Sequence, residues 1–148
     1  MVQNVKVGKN LRSVSIVGIG ATPFMNLVKN DTYHGLTNGE LFGHAALDAM
    51  KDAHIEPRDV QYFFHGSANP HMMFHAITPN LQVADWFGMR GKGSISHSEG
   101  CCTGYIALEE AVFAVASGAY DVVLTGACDC GTGMPDGNTP QPDRNPGW

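Results

Sequence analysis

At 148 residues the chain suffices for one domain with a sizeable core and falls short of two ordinary ones. With 43% hydrophobic and 16% charged residues it reads as globular rather than disordered or membrane-spanning, and a net charge of -5 offers no basic surface for nucleic acid. The leading MVQNVKVGKNLR has no long apolar run and no small-residue cleavage site, so a cytoplasmic location without a membrane partner is expected.

Residues 13–20 (SVSIVGIG) are short, β-branched and closed by glycines, which predicts a buried strand. The continuation GIGATP is not a dinucleotide fingerprint, because Pro23 stands where the third glycine should be. Residues 22–36 read as loop. Thr37-Asn-Gly-Glu40 then has the capping-box pattern, and Leu41, Phe42, Ala45, Ala46, Ala49, Met50 and Ala53 recur at helical spacing. His54-Ile-Glu-Pro57 ends that helix, and VQYFFHG at 60–66 is aromatic and β-branched enough for a second strand.

A polar, Met-rich connection at 67–79 leads to a short helix over 80–87. A weak strand follows over 93–98 (GSISHS). A third helix runs to Val115, apolar nearly all round and stopped by Ser117-Gly118. Residues 120–126 (YDVVLTG) predict a fully buried strand. Strands alternating with helices give an α/β class, with a parallel or mixed sheet and helices on both faces. The reading divides the chain into an extension (1–12), a domain (13–130) and a Gly/Pro-rich exit (131–148) toward a missing loop region or a partner chain.

Four cysteines, Cys101, Cys102, Cys128 and Cys130, fall in vicinal and C-x-C spacings rather than the spread of a disulfide framework, so reduced thiols are expected. No C-x2-C pair occurs and the nearest histidine, His97, lies four residues before Cys101, so no metal site is expected. Cys101 falls at the entrance of the third helix. Unpaired N–H groups and the helix dipole favour negative charge there, and so favour the nucleophilic thiolate. Gly100 and Gly104 let the backbone bend and approach a bound acyl group, while amides of the turn can bind the oxygen of a tetrahedral intermediate. The other reading makes both thiols small buried hydrophobes at the start of a core helix. Spacing alone leaves both open.

Cys101-Cys-Thr-Gly104 resembles the C-x-S/T-G motif of the thiolase superfamily. The surrounding order is similar too: VSIVGIGATPF, then ELFGHAALDAMKDAHIEPRDVQYFFHG, then ALEEAVFAVASGAYDVVLTGACD. The resemblance runs over about residues 13–130 and is closest to the sterol-carrier-protein-type thiolases. It implies the N-terminal half of a thiolase-like fold and an acyltransferase that takes coenzyme A thioesters without a permanently bound cofactor. Cys101 is then the nucleophile of an acyl-enzyme, used for thiolytic cleavage or Claisen condensation, and Cys102 occupies the variable place after it.

Thiolases are built from two related halves, and the histidine motif and second cysteine of the later half do not occur in this sequence. The resemblance therefore implies completion by further residues or a companion chain, in a homo- or hetero-oligomer paired through the strand at 93–98. Two rival roles are a non-catalytic thiolase-like subunit beside a catalytic chain and a redox switch at Cys101-Cys102. Among the histidines, His65, His71 and His75 flank the turn at 67–70 and are expected in loop roles. His97 either points into the site or packs beneath it.

Overall fold

The computed structural model describes residues 10–24, 32–33, 36–68 and 79–129. Helix α1 spans Asn38–Asp52, and its start has the expected physical cause. The Thr37 hydroxyl accepts from the Glu40 amide, and the Glu40 carboxylate accepts from the Thr37 amide at 2.7 Å, so two otherwise unpaired donors are satisfied together. A single 3-10 turn at Pro57–Asp59 then redirects the chain into strand β1, Tyr62–Gly66. Helix α2 (Pro79–Trp86), strand β2 (Gly93–His97), helix α3 (Thr103–Ala116) and strand β3 (Val123–Ala127) follow in order.

The three strands form one parallel sheet in the order β2-β1-β3. Phe63 lies opposite Ser94 and Leu124, and Gly66 lies opposite His97 and Ala127, so the carboxyl ends of all three strands finish level. Alternation along β1 divides the core. Phe63, with Leu124, packs on Phe42, Ala46 and Met50 of α1 and on Val83 and Ala84 of α2, while Phe64 packs on Ala107 and Ala111 of α3. The sheet is thus covered by helices on both faces, as the α/β reading expected.

Residues 13–20 differ from the expectation. They join no sheet among the described residues, and Ile16, Val17 and Ile19 are exposed. Each end of this segment is anchored. Arg12 donates from its side chain to the Val115 carbonyl at 2.9 and 3.1 Å and from its amide to the Ala116 carbonyl at 2.9 Å, and it pairs with Asp121 at 2.6 Å, so it adds donors to the last carbonyls of α3. The Ile19 amide donates to Asp52 at the end of α1 at 3.0 Å. A cleft of about 630 Å³ lies between this segment and β3, walled by Ala45 and Ala49 of α1 and by Leu108 and Val112 of α3. Propensity supplied the right side chains, but a strand exists only where a neighbouring backbone completes its ladder.

Among the described residues no helix is long and apolar enough to cross a membrane. The exit at 131–148 lies outside the described residues, as do residues 1–9 of the expected N-terminal extension.

Candidate active site at the carboxyl ends of the strands

The turn that carries the vicinal cysteines is built by one hydroxyl. Thr103, almost fully buried at the first position of α3, donates to the Gly100 carbonyl at 2.6 Å and accepts from the Glu99 amide at 2.8 Å. Gly100 has φ +58°, a conformation that side chains with a Cβ rarely adopt, and opens a 3-10 turn over Gly100–Cys102. Cys102 is the N-cap of α3 and Cys101 precedes it. Both thiols are exposed and free. The packing alternative required them to be buried, and they are not.

Gly66 sets where this turn sits. A Cβ there would fall 2.7 Å from the Thr103 methyl and 3.0 Å from the Ala127 Cβ, so the missing side chain lets the start of α3 rest directly on the end of β1. Gly66→Ala is therefore expected to push Thr103 and the cysteine turn off the sheet and to destabilise the fold by about 1–3 kcal/mol. A urea midpoint equal to the wild type would contradict this.

The strand exits are tied to one another. The Ser67 amide donates to the His97 carbonyl at 3.1 Å, and the Cys128 amide donates to the Gly66 carbonyl at 3.1 Å. Beyond β3, the exposed Asp129 carboxylate accepts from the buried Ser67 hydroxyl at 2.9 Å and from the Ala68 amide at 3.0 and 3.1 Å. It also lines, with Pro23, Phe24, Phe42 and Cys128, a pocket of about 350 Å³. Asp129, Ser67 and Ser98 were not singled out from sequence, because their pairing joins residues 30 to 62 positions apart.

The histidines separate. His65 lies inside β1 and is fully buried, so the expected loop role is replaced by a core one. Its ring packs edge-on to Phe42, and Nδ1 lies 3.4 Å from the Ser96 hydroxyl. Burial, with His97 nearby adding to it, lowers its pKa to about 4, so the ring is neutral at pH 7. His97 stacks on Phe64 with ring centroids 6.5 Å apart, on the face of the sheet that packs against α3, and its Nε2 is buried without a hydrogen-bond partner among the described residues. His71, His75 and Cys130 lie outside the described residues. Cys128 is half-buried one residue past β3.

Two amides of the cysteine turn are already committed, Cys102 to the Glu99 carbonyl at 3.3 Å and Thr103 to the Gly100 carbonyl. Among the described residues no three His, Cys, Asp or Glu side chains form a group that could hold a metal ion. The arrangement is an exposed thiol at a helix entrance, on the end of a parallel sheet where α/β folds receive their ligands.

No protein-family profile matches the chain. Two curated acetyl-CoA acetyltransferases match over 126 residues, 85% of this chain: that of Methanocaldococcus jannaschii at 29% identity and that of Methanothermobacter thermautotrophicus at 25%. Among solved structures, 3-oxoacyl-[acyl-carrier-protein] synthase III from Aquifex aeolicus shares the fold with a TM-score of 0.52 at 18% identity, over 57% of this chain and 27% of that one. The chain spans 31% of the length of the curated relatives it matches. On sequence and fold together, the chain is related to the thiolase superfamily, over part of the length of its members.

Proposed function

We propose that the chain takes an acyl group from coenzyme A onto Cys101 and forms half of a thiolase-type acyltransferase site. One observation carries the reading: the thiol in the first position of the Cys101-Cys-Thr-Gly104 motif is exposed at the entrance of a 14-residue helix, on the carboxyl ends of a parallel sheet. The Cys101 thiolate attacks the thioester carbonyl, the tetrahedral intermediate expels the coenzyme A thiolate, and that sulfur takes up a proton. The acyl-cysteine is then attacked by the carbanion of a second acyl-CoA or by free coenzyme A, which returns the thiolate. No permanently bound cofactor is needed for these steps.

The base and the remaining oxyanion donors come from outside the described residues. His65 faces α1 on the far side of the sheet from α3, the His97 ring is stacked on Phe64, and two of the turn's amides are in use. The open cleft beside β3 and the exposed Tyr105, Val112 and Phe113 of α3 fit covering polypeptide, either a longer chain or a companion subunit. β2 is the opposite edge of the sheet with Ile95 exposed, which suits association of two copies there.

The test is rapid mixing of the protein, with any polypeptide that co-purifies, against acetyl-CoA while free thiol is followed. One equivalent of coenzyme A per chain should appear in a burst, with the acyl group retained on this polypeptide by intact mass. No burst and no adduct would refute the reading. Steady turnover by the 148-residue chain alone, purified to a single mass, would refute the need for added polypeptide.

A further inference from the structure

Asp129 makes more hydrogen bonds than a solvated surface carboxylate needs, and all of them go to one corner. Oδ1 accepts from the Ser67 hydroxyl at 2.9 Å and the Ala68 amide at 3.1 Å, and Oδ2 accepts from the same amide at 3.0 Å. On its other side, the Ala68 carbonyl accepts from the Ser98 hydroxyl at 3.2 Å. The peptide units of Ala68 are thus held between the exit of β3 and the segment that feeds the cysteine turn, three residues before Cys101. Charge-assisted bonds to a carboxylate are the stronger kind, and this one also satisfies the hydroxyl of a fully buried serine.

We infer that Asp129 is a positioning residue for the nucleophile turn, clamping the Ser67–Ala68 corner so that Ser98, and with it the chain through Glu99 and Gly100, is held against the sheet. The inference rests on the reading that Cys101 is the reactive thiol. In a site of this kind, a displacement of about 1 Å costs roughly 100-fold in rate, so loosening one side of a two-sided clamp is expected to cost at least about tenfold. An amide at the same place keeps the shape and one acceptor oxygen but loses the negative charge, and it presents N–H where the second oxygen accepted from the Ala68 amide.

The experiment compares Asp129→Asn, Asp129→Glu, Ser98→Ala and the Asp129→Asn/Ser98→Ala pair with wild type. Two rates are read: acylation by acetyl-CoA, and alkylation of Cys101 by iodoacetamide with the modified residue identified by mass. The urea midpoint is followed alongside. Asp129→Asn should slow both rates about tenfold or more without a matching change in the midpoint, and Asp129→Glu should recover most of the loss because it restores an anionic acceptor. The pair should be no slower than Asp129→Asn alone, since both changes act through Ala68.

Rates in Asp129→Asn equal to wild type, failure of glutamate to rescue, or independent multiplying effects of the pair would each overturn the inference. If Asp129→Asn does not fold, Ser98→Ala carries the same expectation from the other side of the clamp, and a wild-type rate there overturns it. If wild-type protein shows no acylation, the acyl-transfer reading fails, and the alkylation rates still decide the role of Asp129.

Discussion

Replacing Cys101 with serine is expected to abolish the acyl adduct and to lower acyl transfer by roughly 10³-fold or more, while leaving the fold intact. A serine hydroxyl at this turn has no adjacent base among the described residues, and an alcohol without one is a far weaker nucleophile than a thiol. The side chain is exposed, so the change of one atom disturbs no packing. Cys102→Ser, at the N-cap of α3, should keep acylation within about tenfold, because serine is itself a preferred N-cap and the nucleophile is retained. Loss of the adduct in Cys102→Ser with retention in Cys101→Ser would move the nucleophile one place along the turn.

The second large effect is acid sensitivity through His65. Its folded pKa, about 4, lies below the ordinary value of 6.5, because the ring is buried on the α1 face with His97 nearby. Protons therefore bind the unfolded chain more readily. The stability that this histidine contributes is fully present above about pH 6.5 and is lost progressively as the pH falls toward 4, by up to about 3 kcal/mol. Urea titrations at pH 7 and pH 4.5 should show the wild type losing stability that His65→Leu does not lose over the same interval. Leucine gives up the contact with the Ser96 hydroxyl, so the variant is compared with itself across pH and not with wild type at one pH. Equal pH slopes in the two proteins would contradict a neutral, buried His65.

Much of the fold was legible because its causes are local. The Thr37/Glu40 capping box gives α1, the Ser117-Gly118 stop closes α3, and the aromatic run before Gly66 gives β1. The weak expectation at 93–98 became β2 through the β1 ladder that completes it. The same logic explains the failure at 13–20, where the side chains are those of a strand but an open cleft lies in place of a partner. At the site, the sequence pointed to Cys101 and the helix entrance. It could not point to Asp129, Ser67 or Ser98, whose roles arise from strand ends brought level by the sheet. Nor could alternation decide His97, which the register places on the Phe64 face of the sheet.

The central claim is that the first thiol of this turn receives the acyl group. Its most direct test is acid quenching of the protein shortly after mixing with acetyl-CoA, followed by digestion and fragmentation sequencing of the peptides that contain residues 99–105 and residue 128. The acetyl group is expected on Cys101, with Cys102 and Cys128 unmodified. An acetyl group on Cys128 or Cys102 instead, or no acylated peptide at all, would contradict it.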